Sequence, residues 1–287
     1  KRMRSGSSGI RPEARSSRII LNYHSFRGRL FEKGFDMINL SERLQIIAER
    51  TENPEAMADI GTDHGFLPIY MLQSGSCRRA IVSDISGPSL SKAVENSRLY
   101  LEDDSGFEAR EGDGLATIGR GEVDAVVIAG MGGRLIRDIM AADMEHTYSF
   151  KRFVLQPRIG QGYLRKWLCD NGFRIISEDI AVEGSNLPEI ITAVSPDVRV
   201  ESHPVSTKYR GFMSGFTGED IQSRIPPWIV RGSGPVEEFL RMNLSREKNI
   251  LKSVMMSRHR NMKQEERICN NIYYIKALMK EVRNGEE

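Results

Sequence analysis

A doubly wound, mostly parallel α/β sheet followed by a helical appendage is the fold class this sequence predicts, and three observations predict it. Short apolar runs alternate with helical stretches from residue 57 to residue 194, the pattern of successive strand–helix–strand units. The last two strand-like runs, FRIISEDIAV and PEIITAV, leave no room for a helix between them, which predicts an antiparallel member at one edge of the sheet. Beyond Pro235 the apolar residues recur at helical spacing.

Residues 1–36, opening KRMRSGSSGIRPEARSS, lack apolar periodicity and are rich in Arg, Ser and Gly. They are expected to be a leader, disordered or non-native, with Met37 as the natural start. INLSERLQIIAERT follows, where Ser41 is placed to cap a helix that turns Leu44, Ile47 and Ala48 to one face. The sheet domain then runs over 37–194. MADIG is a strand feeding a helix near 65–74, and AIVSDI a strand feeding one near 88–101. FEAREGD, VDAVVIAG and RFVLQP are the next strands, the last two followed by helices near 133–142 and 161–171. Residues 195–235, rich in Pro, Gly and Ser, read as a linker or insertion. Residues 236–287 read as a helical hairpin broken around SRHRNMKQEE. Phe239, Leu240, Leu251, Val254 and Met255 line its first helix; Ile268, Ile272, Ile275, Met279 and Val282 line the second at heptad-like spacing.

The net charge of +2 conceals an uneven distribution. Residues 1–36 hold nine Lys/Arg against three Asp/Glu, residues 37–235 hold 21 against 28, and residues 236–287 hold 11 against 8. A polyanionic partner therefore meets an acidic middle and a basic C-terminal segment. No apolar run approaches the roughly 20 residues of a membrane span. The three cysteines, Cys77, Cys169 and Cys269, are scattered and match neither a disulfide framework nor a zinc site. A reducing, cytoplasmic setting is the default expectation, with no metal.

In an open parallel sheet, ligands sit beyond the carboxyl ends of the strands. Four such ends are chemically loaded here: Asp59-Ile-Gly-Thr-Asp63-His64, Asp84, Gly112-Asp113-Gly114, and Gly130-Met131-Gly132-Gly133. Gly61 permits close approach to the backbone, but the turn around it has one glycine where a pyrophosphate-binding loop has three. An acidic turn suits a ligand with a cationic end. Asp84, 25 residues after Asp59, is placed to accept ribose hydroxyls, and Asp113 to accept an exocyclic amine. A nucleoside with a positive tail and no phosphates is S-adenosylmethionine. Taken singly, each residue has a plainer reading: Asp59 and Asp63 as turn or cap residues, GDG as a common turn, the paired glycines as room for helix packing. His64 reads as a turn-stabilising side chain, and the apolar stripe of the C-terminal helices as packing.

LSERL at 40–44, ADIGTDHGFLP at 58–68, GDGL at 112–115, IAGMGG at 128–133, LQP at 155–157 with LRKWL at 164–168, and PEII at 188–191 occur in that order. This set resembles the bacterial tRNA (adenine-N1) methyltransferases acting on position 22, the TrmK family, over roughly residues 38–194. The tail is similar in kind to that family's coiled-coil C-terminal domain. The resemblance implies a class I (Rossmann-like) methyltransferase sheet, S-adenosyl-L-methionine as donor and tRNA as acceptor. By position, Asp59, Gly61 and Asp63 would form the first cofactor loop, with Asp84 holding the ribose and Asp113 the adenine. Gly130, Met131 and Gly132, up to Gly133, would border the methyl-transfer pocket, lined also by Gln156 and Pro157.

Adenine N1 already offers a lone pair, so methylation rests on positioning and on excluding water. A carboxylate on the N6 amino group would stabilise the developing charge, and Asp63 is the candidate, with cofactor binding as its competing role. For tRNA, the basic tail is expected to act as the clamp through Arg241, Lys248, Lys252, Arg258 and Arg260. Three rivals stand beside this reading. One is the same fold with rRNA or a small molecule as acceptor. Another is a non-enzymatic RNA-binding protein that retains the cofactor site. The third, a nicotinamide-dependent dehydrogenase, is disfavoured by the missing GxGxxG spacing.

Overall fold

The computed structural model describes residues 36–199, 211–257 and 261–284. Residues 1–35, most of the expected leader, and Arg258 and Arg260 lie outside the described residues. Helix α1 (Glu42–Arg50) begins where Ser41 caps it, the side chain accepting from the Leu44 amide. It buries Ile47 and Ala48. The alternating units then follow as β1 (Ala56–Ile60), α2 (Phe66–Gln73), β2 (Arg79–Asp84), α3 (Gly87–Tyr100) and β3 (Phe107–Glu111). Next come β4 (Ala125–Gly132), α4 (Gly133–Ala141), α5 (Met144–Tyr148), β5 (Arg152–Ile159), α6 (Gln161–Asp170), β6 (Arg174–Ile180) and β7 (Glu189–Val194). The apolar runs became central strands because both faces are covered: β1 and β7 are buried at every position.

The seven strands lie in the order β3-β2-β1-β4-β5-β7-β6. Strands β3, β2, β1, β4 and β5 are mutually parallel. The expected antiparallel strand is present, but not at the edge: β7 is inserted between β5 and β6 and runs antiparallel to both. The crossover through α6 carries β6 past one strand position, and the return through a short loop fills the gap it leaves. The order reverses between β1 and β4, so the loops after these two strands open a crevice at the strand ends.

Residues 211–235 are not a free linker. Met213, Ile221, Ile225 and Ile229 are buried, carried by α7 (Ile221–Arg224) and a 3-10 turn at Pro227–Arg231. The Ile180 amide donates to the Ser233 carbonyl at 2.9 Å, so this segment covers the exposed side of edge strand β6. Helices α8 (Val236–Met255) and α9 (Met262–Asn284) form an antiparallel hairpin, Arg283 near the end of α9 pairing with Glu237 at the start of α8. Phe239, Leu240, Ile275 and Leu278 pack with Ile180, Ile221, Ile225 and Ile229 in one apolar cluster. The seam differs from the expected stripe. Met255 is 51% exposed, and the buried positions include Asn243, Glu247 and Asn271. Glu247 is satisfied there by Arg224 at 3.1 Å and Asn271 at 3.0 Å. No described helix is long and apolar enough to cross a membrane.

Candidate active site

The loops at the crevice are held from several directions. Gly61 sits at φ 77°, where a Cβ would come within 1.9 Å of Met131 Cε. The left-handed backbone there favours glycine, and any larger residue would also have to displace the Met131 side chain. The amide of Gly65 donates to Thr62 Oγ1, and Asn96 of α3 donates to the His64 carbonyl. His64 stacks on Phe66 with centroids 5.3 Å apart, the turn-stabilising role expected of it.

Asp59 is buried at the carboxyl end of β1. Its pKa is pushed up to about 6, by burial first and by the nearby Asp84 in smaller part, against the lowering effect of a hydrogen bond from Thr62 and of the Arg43 charge. Asp84 Oδ1 accepts from the Ser86 amide at 2.7 Å, which orients the carboxylate and leaves its second oxygen available. Beside it Ile85 is 72% exposed, an apolar surface suited to the flat face of a base. Asp113 is exposed and lines a cavity of about 480 Å³ with Gly114, Leu115, Leu135 and Ile139. A buried carboxylate for a cationic end, an oriented carboxylate for hydroxyls and an apolar flank fit S-adenosylmethionine. Asp63 is 70% exposed, within ion-pair distance of His64 (3.3 Å) and Lys92 (3.8 Å), and does not line the cleft described next.

Across the crevice, β4 and β5 lose register after Ala129. The bulge at Gly130 (φ 76°) frees its amide from the ladder, and that amide donates to Gln156 Oε1 at 3.1 Å. Gln156 is 3% exposed. The same oxygen accepts from Arg43 Nη1 at 3.4 Å, while Arg43 Nε donates to Glu183 at 2.8 Å. Gly130, Gln156, Pro157, Arg43 and Glu183 line a cleft of about 670 Å³. Its far wall is α8, through Phe239, Met242, Asn243 and Arg246.

Sequence reasoning names the carboxylates at the ends of β1, β2 and β3 and, in the cleft, Gly130, Gln156 and Pro157, but not Arg43, Glu183 or the residues of α8. Arg43 lies inside the quoted LSERL run, which was its one signal. Nothing local marks Glu183 or Arg246. Of the expected tail cations, Arg241 is paired with Glu237 at 2.8 Å, and Lys248 and Lys252 are exposed on the same side of α8 as Arg241, turned from the cleft. Cys77 and Cys169 are buried free thiols, their pKa pushed up to about 12 by burial, and Cys269 is free and exposed. Among the described residues no cluster of His, Cys, Asp and Glu is arranged to hold a metal.

Residues 40–191 match a family described as a methyltransferase domain. A tRNA (adenine(22)-N(1))-methyltransferase of Bacillus subtilis strain 168 is 40% identical over 163 residues, 56% of this chain and 67% of the relative. A putative tRNA methyltransferase of Mycoplasma pneumoniae is 32% identical over 148 residues, covering 50% of this chain and 66% of the relative. The crystal structure of the B. subtilis m1A22 tRNA methyltransferase TrmK superposes with a TM-score of 0.66 at 28% identity, covering 86% of this chain and 99% of that one. The structural match covers a larger share of this chain than the stretch aligned by sequence. On the matched domain, the strand order and the loaded strand ends together, the chain belongs to the methyltransferase-domain family and, within it, to the TrmK tRNA methyltransferases.

Proposed function

We propose that this protein methylates N1 of an adenine in tRNA, at position 22 as its B. subtilis relative does, using S-adenosyl-L-methionine. The observation that carries the reading is the division of one crevice into two parts. The ends of β1, β2 and β3 present the buried and oriented carboxylates Asp59 and Asp84 together with the exposed Asp113. The ends of β4 and β5 open instead into the cleft that α8 closes.

Bound cofactor supplies an electrophilic methyl group on a sulfonium, which the N1 lone pair attacks as the carbon–sulfur bond breaks. The chain's own residues bind, orient and exclude water. Asp59 takes the cationic end, Gly61 allows the backbone approach, Asp84 accepts ribose hydroxyls and Asp113 receives the adenine edge. Asp63 helps to close the first cofactor loop. Gly130, Met131 and Gly132 form the boundary between donor and acceptor. Gln156 is held by two donors on its Oε1 and by its own Nε2, which donates to the Pro157 carbonyl at 3.3 Å, so the amide fixes the cleft wall at Gly130 and Pro157. N1 needs no general base to become a nucleophile, so rate is gained through alignment in a cleft that admits an unpaired base. The basic C-terminal segment contributes the polyanion contact, and a cytoplasmic location accompanies this substrate.

The test is incubation of the protein with methyl-labelled S-adenosylmethionine and unmodified tRNA, then digestion and identification of the labelled nucleoside. Labelled 1-methyladenosine is the expected product. Cofactor binding without label in tRNA would direct the reading to another acceptor.

A further inference from the structure

The cleft does not end at α8. A second groove, of about 870 Å³, runs along that helix to Gln264 of α9 and shares Met242 and Arg246 with the cleft. On α8 its lining is Met242, Ser245, Arg246, Asn249, Ile250, Ser253 and Val254, and the first six form a stripe at i, i+3, i+4 and i+7 spacing. Those six residues are exposed, and Val254 is half-buried. Met242 at one end also lines the cleft that holds Gln156 and Pro157, so the stripe leads from that cleft to the distal half of the hairpin. Eleven helical steps from Met242 to Ser253 span about 16 Å.

The composition of the stripe matches one kind of occupant. It holds no acid; Arg246 supplies the charge, and Ser245, Asn249 and Ser253 supply uncharged hydrogen-bonding groups. Arg246 makes no ion pair among the described residues, whereas Arg241 is held by Glu237. A guanidinium beside hydroxyl and amide groups is the set that contacts phosphate and sugar, and the exposed Met242 and Ile250 offer apolar surface to an unstacked base or ribose. Lys248, Lys252 and Arg241 lie roughly 120–160° away around the helix from Arg246, at 3.6 residues per turn. They flank the Ser245 edge of the stripe, within about 60° of it, while Arg246 lies on the side shared with the cleft.

We infer that this stripe of α8 is the track along which an RNA strand enters the acceptor cleft, with Arg246 on a phosphate flanking the target nucleotide. The inference rests on the tRNA reading above and adds the face and the residues that carry it. The experiment measures binding of a labelled, unmodified tRNA transcript to the full chain across a salt series. Variants are Arg246→Ala, Asn249→Asp, and the double variant Lys248→Ala/Lys252→Ala, each with S-adenosylmethionine affinity measured by calorimetry as a check of folding. The expected result is that Arg246→Ala weakens tRNA binding roughly tenfold, as the loss of a charge-assisted hydrogen bond does. Its salt slope should also fall by about one. Asn249→Asp weakens binding in the same sense, and the lysine pair has the smaller effect. A larger loss from the lysine pair, with Arg246→Ala within about twofold of wild type, would overturn the inference. So would an Arg246→Ala protein whose oligomeric state changes while its tRNA affinity does not, because the groove would then be an interface between copies. Wild-type protein that binds the cofactor but neither binds nor methylates tRNA would instead remove the reading on which the track depends.

Discussion

Burying the Asp59 carboxylate puts two requirements on one residue. An aspartate that titrates near 4 in the unfolded chain titrates at about 6 here, mainly because its charged form is desolvated. Stability is therefore lost as pH rises from about 4 to 6, and the loss is complete above that window. A pKa displaced by about two costs on the order of 3 kcal/mol. The expected outcome is that Asp59→Asn raises the thermal midpoint at pH 7.5 and leaves it unchanged below pH 4, while weakening S-adenosylmethionine binding at least tenfold as a charge-assisted contact is lost. Wild-type cofactor affinity should weaken as pH falls through about 6, and the variant's should not; calorimetry across this range checks both. Arg43 is the matching residue on the acceptor side. It grips Gln156 and Glu183 from a helix more than 100 positions away in the chain. Arg43→Gln is expected to lower single-turnover rate at saturating cofactor by roughly tenfold through misalignment, with cofactor affinity nearly unchanged. Arg43→Lys should not rescue it, because an ammonium lacks the planar fork that spans both partners. Equal losses in rate and in cofactor affinity would show that Arg43 supports the fold in general.

At the scale of elements, residues 211–235 are joined to the sheet domain through a contact that side-chain chemistry does not reveal. A Cβ on Gly162 of α6 would come within 2.3 Å of the Gly218 carbonyl oxygen and 3.1 Å of Ser223 backbone, neither of which can swing aside. Gly162→Ala is expected to cost about 2 kcal/mol in urea unfolding. Gly215→Ala in the same segment, with open space around it, should cost nothing measurable. The contrast explains what was legible beforehand. Apolar runs ending in Asp or Gly disclosed the strands and their loaded ends, because in a parallel sheet the polar residue follows the strand directly. The position of β7 was not legible, since two strands joined by a loop are equally consistent with neighbouring places inside the sheet or at its rim. The Arg43–Gln156–Glu183 contacts join residues 113 and 140 positions apart, and no local spacing encodes them. On α8 the lysines advertised charge, but which side faces the cleft depends on where Phe239 and Leu240 are buried.

For the whole molecule, the question is whether the hairpin is an appendage or part of one cooperative unit. Arg165 of α6 is fully buried between Glu178 at 2.7 Å and Glu189 at 2.5 Å, and donates to the carbonyls of Ser223 and Arg224. Burial alone would lower its pKa, but the two carboxylates hold it charged, above the usual guanidinium range. Trp228 donates to Glu178 at 3.0 Å, and Arg224 continues to Glu247 of α8 and so to Asn271 of α9. One polar chain, buried except at the half-exposed Arg224, thus runs from the sheet to both helices of the hairpin, alongside the apolar cluster of Ile180, Ile225, Leu240 and Ile275. Cutting the chain at Pro235 would expose that cluster, so point variants report on the tail more cleanly than truncation. The expected behaviour is a single transition. Both tryptophans, Trp167 and Trp228, lie outside the hairpin, so their fluorescence follows the domain, while far-UV dichroism also reads the 20 and 23 residues of α8 and α9. The two signals should share one midpoint. Arg165→Met, which strands two buried carboxylates, should lower both together by an amount worth about 3–5 kcal/mol. Separate midpoints, or a variant that shifts the fluorescence transition alone, would make the hairpin an independent unit, and the cleft wall that it supplies would then be set by docking and not by folding.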